Sequence, residues 1–429
     1  MGRLSLAEAS HLVSRTGIGA EWDSIQRVVG KPMPHAVNLI LQQSRSNPRP
    51  LRNVSKWNRL LKLRSNMNSK RMMMRVAKNE GQALQHWWAD HLLKTRSPLV
   101  ERMTLFWHNY FPSTIGKTLA TSLLYNQNMM LRKHALGNFK QLLHAVAKDP
   151  AMLVYLDGHE NVKGSPNENF AREVLELFTV GRRQYTENDI REAARAFTGW
   201  GINANTGSFI NQPNNHDYGQ KKILGKVGNF NGDQALDIML EYHTTPIRIV
   251  ERFWYEFVSV NRPDPALIKR WAASFVSSNY NISQLLRVIL TSKEFWSPRN
   301  RGGLVKSPVD LAVGTLRSLP YTLPRDDLAH QLALMGQPLF NHSTVKGWAT
   351  GKDWVSTQSF LLRDSLLRNL TRGNLRSAKS GMDAKLPKIS REEMADWLLS
   401  TKALNPFPEK RGKQRLVRAL VLDPSYQVY

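Results

Sequence analysis

Helix start and stop signals recur so closely along this chain that it must fold as many short helices. Ser5-Leu6-Ala7-Glu8 reads as a capping box, a hydroxyl N-cap with a glutamate three residues on, and Gly17 and Gly19 end the helix it opens. Thr186-Glu187-Asn188-Asp189 repeats that start signal for a helix ending at Gly199, and Thr245-Pro246 reads as an N-cap before an N1 proline. Val100, Met103, Trp107 and Phe111 recur at helical spacing, so the 98–111 helix buries one face. The spacing predicts further helices over 20–29, 34–43, 54–78, 81–95, 117–134, 137–147, 150–156 and 168–180. Others start after Gly232-Asp233 and at Pro265, Ser283 and Pro308, and a last helical piece spans 391–421. Two stretches break the pattern. Residues 201–230, rich in Gly, Asn, Pro and His, read as a long loop or a short β-hairpin, and residues 336–356 as an aperiodic Gly/Trp-rich segment.

The expected fold class is therefore mainly α, a single large multi-helical domain with little β. The expected core domain spans 1–371, with basic N-terminal helices over 1–150 and a near-neutral central site region over 151–350. Residues 372–429 read as a basic linker and C-terminal helix.

Composition narrows the chemistry. The chain has no cysteine, which excludes disulfides, Cys-ligated zinc, iron–sulfur clusters and a cysteine nucleophile. Its net charge is +26, and residues 1–150 hold 23 basic side chains against 7 acidic ones. No acid occurs between Asp23 and Glu80. Residues 24–79 are thus a candidate surface for a polyanion such as nucleic acid, anionic lipid or an acidic polysaccharide, with Trp57 available to stack. A solvated basic arm is the plainer reading, and Met72-Met73-Met74 fits core filling or a partner contact. No apolar run reaches the roughly 20 residues of a membrane span. Glu8 interrupts the start where a secretory signal core would run. The expected compartment is cytoplasmic, or periplasmic or exported if a leader has been trimmed.

The candidate chemistry sits in the centre. On a wheel at about 100° per residue, Glu168, Arg172, Glu176, Asn169 and Glu173 fall within about 140°, and Phe170, Val174, Leu175, Leu177 and Phe178 fill the other side. Arg172 is four residues from both Glu168 and Glu176 and is placed to bridge them. A salt-bridged solvated face explains this pattern. So does a polar site wall, in which paired carboxylates split their pKa values into an acid and a base, or hold a hard divalent cation. His108, in the apolar Phe106-Trp107-His108-Asn109, and His216-Asp217, in the aperiodic segment, are candidate proton carriers. Asn167, Arg195, Trp200, Lys221, Lys346 and Trp348 are candidate binding residues, the tryptophans as a carbohydrate platform or as ordinary loop packing. The His-Glu-x-x-His zinc pattern, the P-loop, the dinucleotide glycine fingerprint and the Gly-x-Ser-x-Gly elbow are all missing.

The chain resembles the bacterial "domain of unknown function 1800" family over nearly its whole length. The resemblance is carried by Leu6-Ala7-Glu8-Ala9-Ser10-His11-Leu12, Met103-Thr104-Leu105-Phe106-Trp107-His108-Asn109 and Pro166-Asn167-Glu168-Asn169-Phe170-Ala171-Arg172-Glu173. It continues through Ala193-Ala194-Arg195-Ala196-Phe197-Thr198-Gly199-Trp200, His216-Asp217-Tyr218-Gly219, Lys306-Ser307-Pro308-Val309 and Val345-Lys346-Gly347-Trp348. The family is uncharacterised. Its members often stand beside an exported sulfatase-like partner, which implies work on a polysaccharide or envelope component. Tyr110 stands where the family usually has a second histidine, which argues against a two-histidine metal site on that helix. His342, Ser343 and Thr344 replace its usual Pro and Asn before the Val-Lys-Gly-Trp motif.

Two functions are expected from these residues. One is a hydrolase or transferase on an anionic polymer, with Glu173 and Glu176 as acid, base or cation ligands, Arg172 as an anion clamp, and His108 and His216 moving protons. The other is a non-catalytic polyanion-binding or scaffold protein.

Overall fold

The computed structural model describes residues 2–42, 48–51, 55, 67–372, 386–406 and 412–429. The protein is mainly α. Two antiparallel two-stranded ribbons are the strand pairs among the described residues: β1 (Trp200–Ile202) with β2 (Phe209–Asn211), and β3 (Lys221–Ile223) with β4 (Lys226–Gly228). The 201–230 segment is thus two short hairpins, registered Gly201 to Ile210 and Lys222 to Val227.

The capping signals act where they were read. Ser5 and Glu8 exchange backbone bonds at the start of Leu6–Thr16, and Thr186 and Asp189 do so at Glu187–Ala196. Asn231/Gln234, Ser307/Asp310 and Ser390/Glu393 build three more capping boxes. Each satisfies backbone donors that a helix cannot pair internally.

Several boundaries differ from expectation. Met67–Lys94 is one helix that runs straight through Gly81, since a glycine costs a helix interior only about 1 kcal/mol, and Ile115 packs where a Cβ at that position would lie. The expected 117–134 helix is split into Ile115–Thr118 and Thr121–His134 by Leu119, whose φ of 56° is left-handed. Thr245 is not an N-cap. The helix begins at Thr244, and the Thr245 hydroxyl donates to the Met239 carbonyl instead. The last expected helix is two, Arg391–Leu398 and Lys413–Val421.

Helix Pro98–Tyr110 is the axis of the fold. It was expected to bury one face, yet Leu99, Met103, Phe106 and Trp107 are buried together with Glu101, Arg102, Thr104 and His108. Trp107 packs against Phe111, Phe139 and Phe253, and its indole donates to the Ala135 carbonyl. Full burial of one such ring stabilises the fold by about 1.5–3 kcal/mol. The C-terminal segment closes on the N-terminal helix. The Trp397 indole donates to the Ala20 carbonyl, Ser10 donates to the Trp397 carbonyl, and Tyr429 packs beneath Arg15 and Arg102.

Candidate functional site

The acidic face begins at an N-cap. The Asn167 side chain accepts from the Asn169 amide, and the Asn169 side chain donates to the Leu156 carbonyl and to Asp157. Arg172 reaches Glu168 at 3.1 Å and clamps Glu187 through two bonds of 3.0 and 2.9 Å. The expected Arg172–Glu176 bridge is not made. After Glu173 the helix widens into a single π turn over Val174–Phe178, which carries Glu176 away from Arg172. Glu176 is held instead by Arg182 and by the Tyr185 hydroxyl at 3.0 Å.

The two carboxylates are pushed in opposite directions. Burial, then the charge of Glu176, raises Glu173 above the ordinary carboxylate range. Burial also pushes Glu176 up, but the hydrogen bonds from Arg182 and Tyr185 outweigh it and hold Glu176 below that range. No hydrogen bond reaches the Glu173 side chain among the described residues. Lys346 is exposed and lies within electrostatic reach of both glutamates. Tyr155, which the sequence did not single out, stands close enough for Glu173 to raise its hydroxyl, after burial.

The loop that presents Lys346 is fixed from behind. Gly347 takes φ 90°, and a Cβ there would fall 2.2 Å from the Asn109 side-chain oxygen. That oxygen accepts from the Trp348 amide at 2.6 Å. The loop continues into the wall of a cleft of about 140 Å³, which Trp348, Trp354, Tyr255, Arg252, Glu256 and Asp310 help line. At its base Arg102 donates to Glu256 at 2.8 Å, to Tyr429 at 3.2 Å and to Asp310. Sequence reasoning missed this cleft. The signals were present: Arg252, Tyr255 and Glu256 interleave with the apolar Phe253, Trp254 and Phe257, and Ser307–Asp310 is a capping box.

The other candidates lie elsewhere. Asp217 does not orient His216, although the two are adjacent. It accepts from Arg195 at 2.8 and 3.2 Å, which holds it down at about 2 despite some burial. His216 is buried with Nδ1 2.9 Å from the Thr198 carbonyl. Lys221 is buried and donates to the Asp217 and Gly219 carbonyls, so these residues brace the hairpin segment. Trp200 packs on Phe170, Phe197 and Phe209. That is core packing, with no open ring face for a sugar.

His108 is fully buried on the central helix, against Trp88, Phe340 and the ring of His342. Neither it nor His216 is among the groups whose charge shifts Glu173. Both His108 ring nitrogens and His342 Nε2 lack a hydrogen-bond partner. Such groups cost about 1–3 kcal/mol each when left bare. Trp348 packs against His342 with centroids 4.0 Å apart and planes tilted by 33°, and donates to the Pro338 carbonyl, so it is packed under its loop as well as lining the cleft. Among the described residues no group of three His, Asp or Glu side chains is placed to hold a metal ion.

Of the basic segment 24–79, Arg45, Arg52, Lys56, Trp57, Arg59, Lys62 and Arg64 lie outside the described residues. Met73 is buried, whereas Met72 and Met74 are exposed. Among the described residues no helix is long and apolar enough to cross a membrane.

Fold and site together define a mainly α protein with a split carboxylate pair and an aromatic, arginine-bearing cleft. The chain belongs to the family described as protein of unknown function DUF1800, whose model matches residues 11–428. No curated protein and no solved structure matches it.

Proposed function

We propose that this protein is a hydrolase or transferase acting on an anionic polymer, with an envelope polysaccharide as the favoured substrate class. The observation that carries the reading is the opposed pull on Glu173 and Glu176. Two carboxylates whose environments push their pKa values apart supply an acid and a permanent anion side by side. Glu173, without a hydrogen-bond partner, is the proton donor to the leaving oxygen. Glu176, tied to Arg182 and Tyr185, stays ionised and stabilises developing positive charge. Lys346 and Arg252 are exposed, and neither has a carboxylate within 4 Å among the described residues, so both are free to meet anionic groups of a substrate. Tyr255, exposed on the cleft, offers ring surface to a substrate. The sulfatase-like partner implied by the family resemblance would act on the same class of polymer.

The test is release of reducing ends from uronate-bearing and sulfated polysaccharides. Glu173→Gln should lower turnover about 100-fold or more. Wild-type activity should decline as pH rises through the raised pKa of Glu173, because the acid form is the working one. Full turnover in Glu173→Gln would remove the proposal.

A second reading, polyanion binding without catalysis, is favoured by one feature. Arg71, Arg75 and Lys78 are exposed along one face of helix Met67–Lys94. It predicts that affinity for heparin or duplex DNA falls steeply between 50 and 200 mM salt, by about tenfold or more for a few phosphate-like contacts. Salt-independent binding would exclude it.

A further inference from the structure

The cleft lined by helix Thr244–Phe257 and by the loop after Lys346 holds polar groups that the folded chain leaves without partners. Arg252, Tyr255 and Glu256 stand on one face of that helix, three and four residues apart, and all three line the cleft. Arg252 is exposed, and its guanidinium lies over the Tyr110 ring at 5.4 Å. Among the described residues it makes no hydrogen bond and has no carboxylate within 4 Å. Arg248, one turn earlier, has no carboxylate within 4 Å either, and both arginines act on the buried Tyr110 hydroxyl. Like charges one turn apart repel, so the fold gains nothing from the pair. Glu251 feels Arg248 and Glu256 feels Arg252, but Glu256 is already bonded to Arg102 at 2.8 Å.

The cleft also carries spare hydrogen-bonding groups. Gln337 is only 5% exposed, and its Oε1 accepts from the Val309 amide at 2.9 Å. Its Nε2 donates to nothing among the described residues. Asn109 uses Oδ1 to accept from the Trp348 amide, and its Nδ2 is likewise unpartnered. Glu256 adds an acceptor. Its Oε1 takes Arg102, its Oε2 has no hydrogen-bond partner, and its side chain is 30% exposed. Native interiors rarely leave such groups bare. Water satisfies an amide, but it neither neutralises Arg252 nor covers the ring of Tyr255, which is 42% exposed.

Size and chemistry narrow the occupant. The volume of about 140 Å³ lies below the roughly 300–1,000 Å³ of pockets for drug-sized ligands, so the cleft takes one small ring and not a nucleotide. Arg252 asks for a planar or multi-oxygen anion, which a guanidinium grips with two parallel bonds. The amides and Glu256 ask for groups that both accept and donate, which hydroxyls do. Tyr255 asks for an apolar face. A six-membered sugar ring bearing a carboxylate or a sulfate meets all three demands.

We propose that this cleft binds one acidic sugar residue, with its anionic group on Arg252, its ring against Tyr255, and its hydroxyls on Gln337, Asn109 and Glu256. The site deepens the polysaccharide reading above and rests on it for the natural ligand being a polymer. Recognition of the single residue stands on the cleft alone.

The test is calorimetric titration of the full chain with glucuronate, glucose 6-sulfate, glucose and acetate. At least one of the two acidic sugars should bind one per chain with a Kd of about 1 mM or below. The tighter of the two identifies the anionic group as a carboxylate or a sulfate. Glucose and acetate should each bind about tenfold or more weakly, because each lacks half of what the cleft offers. Arg252→Gln should weaken the acidic sugar by about tenfold or more, and Tyr255→Ala by severalfold. Both side chains are exposed, so both variants should keep the wild-type Tm. Absence of saturable binding by either acidic sugar, acetate binding as tightly as they do, or undiminished binding in Arg252→Gln would each overturn the proposal. Binding is read without turnover. Full turnover in Glu173→Gln would therefore remove the proposed acid and leave this site standing, whereas absent binding by the wild type would remove the site and leave the acid untouched.

Discussion

Arg102→Ala should destabilise the protein by about 3–5 kcal/mol, the range for removing one partner of a buried ion pair. Arg102 stands on the central helix, and its guanidinium joins four other segments. Nε donates to the Gly17 carbonyl at 2.7 Å, at the end of the first helix. Nη1 donates to Glu256 and to the Tyr429 hydroxyl, and Nη2 to Asp310. Tyr429 in turn donates to Asp310 at 3.0 Å. Removing the guanidinium leaves Asp310 buried and Glu256 largely so, without their cation, and takes one hydrogen-bond partner from Tyr429. Burial already pushes Glu256 above its ordinary value with Arg102 present. Without Arg102 it should be driven further toward the protonated form, so the variant should lose less at acid pH than at neutral pH. Urea melts at pH 7 and pH 4.5 check both statements. A loss below about 1 kcal/mol at pH 7 would mean that water screens the cluster far more than its packing implies. Arg102→Met with Glu256→Gln should recover part of the loss, because the pair is worth less than the penalty of breaking it.

How much of this was legible in the sequence depends on whether the deciding contact is local. Ser5–Glu8 and Thr186–Asp189 close within one turn, so their capping boxes can be read from four residues. The polar face of the 168–176 stretch is equally local, and its opposite side is indeed apolar and buried. The partners on that face are not local. Glu176 leaves Arg172 because the chain takes a π turn, past which the Gly181 amide bonds back to the Leu175 carbonyl. Glu187, which replaces Glu176 beside Arg172, comes from the next helix. The central helix shows the same limit more strongly. Glu101 and Arg102 look like a solvent face beside Val100 and Met103, yet both are buried. Their partners Arg132, Glu256, Asp310 and Tyr429 are far along the chain, and no periodicity reports them. His216-Asp217 misled in the opposite sense. Adjacency suggested a pair, but the hairpin turns Asp217 toward Arg195 and His216 toward Thr198.

Glu101 should make the protein acid-sensitive in a defined window. Its carboxylate is fully buried and receives Arg132 Nε at 2.7 Å, Arg132 Nη2 at 2.9 Å and His91 Nε2 at 3.0 Å. Burial alone would raise its pKa. The hydrogen bonds and charges of Arg132 and His91 reverse that and bring it from an ordinary 4.5 down to about 2. A folded value below the unfolded one means that the native state holds the proton less tightly. The stabilisation is therefore complete above pH 4.5 and fades as pH falls through about 2. The gap corresponds to about 3 kcal/mol, at 1.36 kcal/mol per unit. Glu101→Gln keeps the shape but leaves Arg132 buried without its counter-charge, so it should cost about 3–5 kcal/mol at pH 7. Near pH 2 the wild-type carboxyl is itself about half protonated, and the two proteins should approach one another in stability. Urea melts of both from pH 7 to pH 2 make the comparison. Converging curves locate the acid sensitivity at this pair. Curves that stay parallel would show that Glu101 does not titrate in this window and that the acid response comes from other carboxylates.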